Sequence, residues 1–384
     1  MRKQRQKSRD RDVRLRLKTR CRSKGNIRRK HKRNGSSVLL VDATEQWIKL
    51  KANKLNLSID RSNRVTIHLP AEMDFSTNYN KTLLYFMAIR RLVRDQSLSA
   101  KRIRLKRVDM DQIQNISTSA ALALTAELAR WEDSSTNKLT PNVESWNEDV
   151  YSQFHELGFF DLFERPPGPR EANGTARAGR HLVRYIKGSF RDHRKPRILQ
   201  ERLREIVGDE IDKWSFLHSG LVEAIINVTH HAYPDSGKYI DRDKNWYLTG
   251  SYDKSTRQLK IVFYDQGIGI PKSLPATKPG EKILEFASRL SLGEGLSDPT
   301  LLAAAFTMSR TSTQQSDRGK GLQDIVEFVR QRKQGYLAVV SGYGIFKIEV
   351  NGDSEKSAKL RAKEPMSGTL IVWSVTLEKT GHEK

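Results

Sequence analysis

Between Phe216 and Ile325 three short elements follow one another, and their order constrains this chain more than any other feature of its sequence. The first is Glu223-Ala-Ile-Ile-Asn227, set in an apolar run of helical character that continues into His230, His231, Ala232 and Tyr233. The second is a hydrophobic strand, Leu259 to Tyr264, ending in Asp265-Gln-Gly267-Ile-Gly269-Ile-Pro271. The third, Arg318-Gly319-Lys320-Gly321-Leu322-Gln-Asp-Ile325, opens another helical run.

In Glu223–Asn227 the i,i+4 spacing puts a carboxylate and an amide on one helix face, one turn apart. An amide oxygen is a hard ligand suited to Mg²⁺, which usually takes few protein oxygens and completes its shell with phosphate and water. A carboxylate one turn away could accept a proton from a nucleophile near a terminal phosphate. Asp265 ends a strand, where an acceptor can meet the exocyclic amine of adenine, and Gly267 and Gly269 let the backbone approach the ring. Gly319 and Gly321 precede a helix, whose free N–H groups bind phosphate, and Lys320 adds a mobile positive charge. Each pattern alone also fits a solvated polar pair or an ordinary turn. Their order and context together predict one site for ATP and Mg²⁺.

These residues resemble the GHKL ATPases, the family of gyrase-type topoisomerases, heat-shock chaperones, histidine kinases and mismatch-repair ATPases. Glu223 to Asn227 followed by His231-Ala-Tyr233 looks most like the anti-sigma-factor serine kinases and other histidine-kinase-like ATPases. The resemblance implies that Asn227 binds Mg²⁺, that Glu223 is catalytic, and that Asp265 reads adenine. It implies that the second glycine box, Gly319 to Leu322, closes on the phosphates. A further Gly-Thr element matches Gly368-Thr369 ahead of the strand Leu370–Leu377, which adds Thr369 to the nucleotide-binding set.

With 384 residues, 37% of them hydrophobic and 30% charged, the chain has the make-up of a multidomain globular protein. No apolar run approaches the ~18 residues of a membrane span, and the charged start has no apolar core behind it, so the cytoplasm is expected. Cys21 is the one cysteine, which excludes an internal disulfide. Residues 1–37 hold 17 Lys and Arg against 2 Asp, over half of the net charge of +24. This basic tail, expected to be disordered alone, suits sequence-blind, salt-dependent binding to RNA or DNA as well as plain solvation. It lacks the interleaved aromatics that base stacking needs.

An α/β domain is expected over 38–164, with Val38–Val41 as a strand or turn before a short helix. Arg64–Leu69 and Ile103–Val108 alternate as strands, and Leu83 to Leu92 and Ala120–Trp131 read as helices. Around Arg102 to Phe163 the pattern is similar to the STAS domains of anti-sigma-factor antagonists. Ser117-Thr118-Ser119-Ala120 takes the place of their phosphoacceptor motif without its Asp or Gly, and Thr118 or Ser119 reads equally as a helix cap. A Pro/Gly-rich linker is placed at 165–180.

The ATP-binding domain, 181–379, is expected to be an α/β sandwich with helices on one face of a mixed, mostly antiparallel sheet, making the whole chain α+β. Strands are predicted at 246–252, 258–264, 335–341, 345–350 and 369–377. The stretch 271–317 contains two helical runs and reads as a lid, with Arg310 and Arg318 as phosphate contacts. Three functions remain open: a hydrolase or Ser/Thr protein kinase, an ATP-gated module that changes a protein-partner surface, and a nucleic-acid-associated ATPase. The sequence leaves homodimerisation open and predicts no membrane partner.

Overall fold

The computed structural model describes residues 37–94, 103–134, 143–168, 179–189, 192, 195–208, 211–234, 244–276, 280–290, 296–311 and 321–377. The basic tail, Cys21 and part of the Pro/Gly-rich stretch lie outside them.

The N-terminal region begins with helix α1 (Ser37–Lys51), so Val38–Val41 is helical and not a strand. Strands β1 (Leu57–Ile59) and β2 (Arg64–His68) follow, then the short β3 (Glu72–Met73) and helix α2 (Tyr79–Arg94). Next come β4 (Arg104–Asp109), β5 (Asn115–Ile116) and helix α3 (Thr118–Ser134). The sheet order is β1-β2-β4, with β2 parallel to β4, so α2 is the crossover a parallel pair requires. Ser117 caps α3, its Oγ accepting from the Ala120 amide at 3.3 Å. Thr118, one of the two expected caps, is buried and its hydroxyl meets Ser251 Oγ at 3.1 Å. Helix α4 (Glu148–Leu157) starts on Asn147, whose side chain accepts from two amides, and ends on Gly158 at φ 81°.

The C-terminal region opens with β6 (Arg180–Leu182), β7 (Ile186–Ser189), helix α5 (Pro196–Val207) and helix α6 (Trp214–Asn227). Helix α6 widens into a π turn, Val228–Ala232. Strands β8 (Asn245–Asp253) and β9 (Gln258–Asp265) form a hairpin whose turn is folded by Asp253 Oδ1, which accepts from the Ser255 and Thr256 amides at 3.0 and 3.1 Å. Helices α7 (Ile270–Ser273), α8 (Gly280–Leu290), α9 (Asp298–Thr311) and α10 (Gly321–Arg332) lead to strands β10 (Gln334–Asn351) and β11 (Ser354–Thr376). The main sheet has the order β10-β11-β9-β8-β6, with β7 also on β8, and each of these pairings is antiparallel. The two strands expected at 335–341 and 345–350 are one, continuous through register shifts at Gly342 and Gly344. Its partner β11 begins fifteen residues before the predicted start at Thr369, in a polar stretch without alternation.

Side-chain parity divides this sheet between two cores. Trp246, Leu248, Ile261, Phe263, Ile371 and Trp373 point to one face, where α5, α6, α9 and α10 pack. Tyr247, Val262, Tyr264, Leu370 and Val372 point to the other, where α2 and α3 pack. The fold is α+β as expected, but both faces carry helices. The reason is visible in β8, eight consecutive residues of which are buried, as two-sided cover demands. The N-terminal helices and the main sheet therefore share one hydrophobic core.

Candidate functional site

Asp265 is the last residue of β9 and faces Thr369 of β11 in register. It is almost fully buried, and its Oδ1 accepts from the Gly267 amide at 2.8 Å. Burial pushes its carboxyl up to about 6, against the opposing pull of the Gly267 amide and the Thr369 hydroxyl. Gly368, at φ 80°, is required here: a Cβ would run into the Asp265 carbonyl oxygen. Ser341 ties the strand ends together. It accepts from the Ile270 amide at 2.9 Å, donates to the Gly368 carbonyl at 3.0 Å and lies 3.2 Å from Thr369 Oγ1.

Glu223 and Asn227 lie one turn apart on α6, as their spacing requires. The Asn227 amide nitrogen donates to Glu223 Oε1 at 3.1 Å, which leaves the Asn227 carbonyl oxygen as a hard, neutral donor. Burial first, and the nearby negative charge of Asp324 second, raise the Glu223 carboxyl above its ordinary value, while Asn227 pulls the other way. Asp324 is held there because α6 and α10 touch at Gly220, where a Cβ would come within 2.8 Å of the Asp324 carbonyl oxygen. The π turn after Asn227 docks α6 onto the first glycine turn. The Ile268 amide donates to the Ala232 carbonyl at 2.9 Å, and a Cβ on Gly267 would lie 2.5 Å from that same oxygen. A π turn is a frequent companion of functional sites. His231, at this helix end, is half-buried, and burial lowers its pKa.

Thus Asp265, Gly267, Gly269 and Thr369 are gathered at one end of the main sheet, with the Glu223–Asn227 helix docked beside them. Gly321 opens α10, and Leu322 packs in the same small apolar cluster as Ile270, just after Gly269. Gly319, Lys320, Arg318 and the side chain of Arg310 lie outside the described residues. Leu284–Ala287 and Leu301–Phe306 are helical as expected. Among the described residues no group of three or more His, Cys, Asp or Glu side chains could hold a metal ion, and no helix is long and apolar enough to cross a membrane.

Sequence reasoning missed Ser341, Asp324 and Tyr233's role. The Tyr233 hydroxyl donates to the Asn245 carbonyl at 2.7 Å and accepts from the Gln266 amide at 3.2 Å. The signal for Ser341 was Ser341-Gly-Tyr-Gly344, a double glycine interrupting a strand, which marks a bulge. No family model matches this chain, and no curated protein matches it.

Proposed function

We propose that this chain is an ATP-binding regulatory protein with a Mg²⁺-dependent site of the GHKL type. The observation that carries the reading is a buried carboxylate, Asp265, fixed at a sheet end by Thr369 and Gly267, with the Glu223–Asn227 helix docked against the same turn. Asp265 would accept the adenine amino group. Its burial makes it selective, because a ligand with no donor there would leave a desolvated carboxylate with only its Gly267 and Thr369 partners.

The residues present fit Mg²⁺ of the kind that holds few protein ligands: Glu223 holds the Asn227 amide nitrogen, and the amide's oxygen remains as one hard donor. When bound, the cation supplies charge neutralisation of the phosphates and orients them. Glu223 supplies the proton acceptor. A carboxylate raised by burial and by Asp324 is the stronger base, and it is placed to take a proton from water or from a protein hydroxyl. The presence of Glu223 one turn from Asn227 favours a catalytic role, as ATPase or protein kinase, over a passive switch. The α10 N-terminus, opening at Gly321, would meet phosphate oxygens with its free amides.

The deciding experiment measures ATP turnover and nucleotide binding side by side, in the wild type, Glu223→Ala and Asp265→Asn. Turnover lost in Glu223→Ala with binding retained supports the reading, and Asp265→Asn should lose adenine binding. Tight binding without turnover in the wild type would make the chain an ATP-gated module. A folded wild type that binds no ATP would sink the proposal.

A further inference from the structure

Gln266, the residue between Asp265 and Gly267, reads in the sequence as a spacer. In the fold it is 1% exposed and held from three sides. Its amide donates to the Tyr233 hydroxyl. Its carbonyl accepts from Arg90 Nη2 at 2.8 Å, and its side-chain Nε2 donates to the Ala126 carbonyl at 3.1 Å. The last two partners come from α2 and α3, the N-terminal helices. Arg90 is itself fixed: its Nη1 lies 3.2 Å from Glu127 Oε1, which also accepts from the Tyr264 hydroxyl at 2.7 Å. Both side chains of this ion pair are over nine-tenths buried.

A buried ion pair is a weak source of stability, since desolvating both charges offsets their attraction. Such a pair is better explained by what it positions. Arg90 uses the planar fork of its guanidinium to reach two acceptors on different elements at once, which a lysine ammonium on a flexible stem does not reproduce. One acceptor is on α3 and the other is the backbone of the turn that follows Asp265. Any shift of α2 against α3 therefore acts on Gln266 directly, with no chain of intermediaries.

We propose that Arg90 is a positioning residue for the Asp265–Gly267 turn, and that the helix pair α2/α3 couples the N-terminal region to that turn through Gln266. The proposal rests on the nucleotide reading above for its ligand, though not for its mechanical content. The coupling is reciprocal: adenine seated on the turn biases the α2/α3 arrangement, and a partner that shifts those helices alters adenine affinity by the same factor.

The test compares full-length wild type, Arg90→Lys and Gln266→Ala by two readouts. The first is the affinity ratio of mant-ATP to mant-GTP. A misplaced turn loses adenine discrimination while phosphate contacts persist, so the ratio should fall on the order of tenfold, whereas general destabilisation would weaken both nucleotides alike. The second is amide exchange at Gln266–Ile268 against the β9 interior, which should rise selectively in both variants. An unchanged ratio in a wild-type background that binds ATP overturns the proposal. Should the wild type bind neither nucleotide, the functional reading fails, and amide exchange alone decides the coupling. Unchanged protection at Gln266–Ile268 in both variants would then refute it. Should Arg90→Lys fail to fold, Gln266→Ala, which keeps the carbonyl and loses the Ala126 tie, carries both readouts.

Discussion

Gly220→Ala sets two known effects against each other at the contact that brings Asp324 to Glu223. Alanine is the better helix former, and in an open helix interior the change would stabilise by about 1 kcal/mol. Gly220, however, faces α10: its added Cβ would come 2.8 Å from the Asp324 carbonyl oxygen and 3.1 Å from the Ile325 Cα. Both are backbone atoms of a helix packed on the sheet, and cannot rotate away as a flexible side chain would. Overpacking of this kind costs roughly 1–3 kcal/mol. The net expectation is a destabilisation of about 0–2 kcal/mol, read from urea midpoints at constant m value. A second consequence separates this from generic strain. Moving α10 outward takes the Asp324 charge away from Glu223, so the Glu223 carboxyl should drop towards its ordinary value. If Glu223 is the general base, the acid limb of the turnover profile moves to lower pH. A gain of about 1 kcal/mol with an unmoved acid limb would show that the helices are not in close contact at Gly220, and would refute the account of Glu223's environment.

The remaining expectations concern the sheet end. Asp265 is held near 6 in the folded protein against an ordinary 3.8, so its contribution is complete below about pH 4 and lost as pH rises through 6. The stability of wild type relative to Asp265→Asn should therefore fall by about 2 kcal/mol between pH 4 and pH 8; a flat difference in paired denaturation curves would contradict the buried charge. Gly368→Ala combines a left-handed backbone with a collision against the Asp265 carbonyl, and should cost more than ~2 kcal/mol while disrupting nucleotide binding, measurable by thermal shift with and without ATP. A Gly368→Ala protein with wild-type melting would show that the β9–β11 junction is looser than described.

What the sequence disclosed was local. Glu223 with Asn227, and Asp265 with Gly267, are close along the chain, so helix period and turn chemistry alone fix their geometry. Ser341 meets Gly368 across the β10–β11 hairpin, 27 positions on, and Ile270 across 71 positions, while Arg90 meets Gln266 across 176, so none of these pairings leaves a trace in spacing. The first half of β11 escaped notice because Ser354 to Arg361 is exposed along its length and needs no apolar alternation. The run Trp246–Tyr252 disclosed a strand, but with Thr249, Gly250 and Ser251 in its middle it gave no sign that helices cover both faces, nor of which part of the chain provides the second cover.

The shared core has a practical consequence for how this protein can be divided. The Pro-rich stretch after Phe163 looks like the natural place to cut, and the segment from 181 onward carries all the candidate site residues. Yet removing the N-terminal region would strip α2 and α3 from the sheet and leave Tyr247, Val262, Tyr264, Leu370 and Val372 facing water. A contiguous apolar patch of that kind promotes self-association. The excised fragment should elute as aggregate in size-exclusion chromatography, where the full chain does not, and the smallest soluble unit then starts at α1.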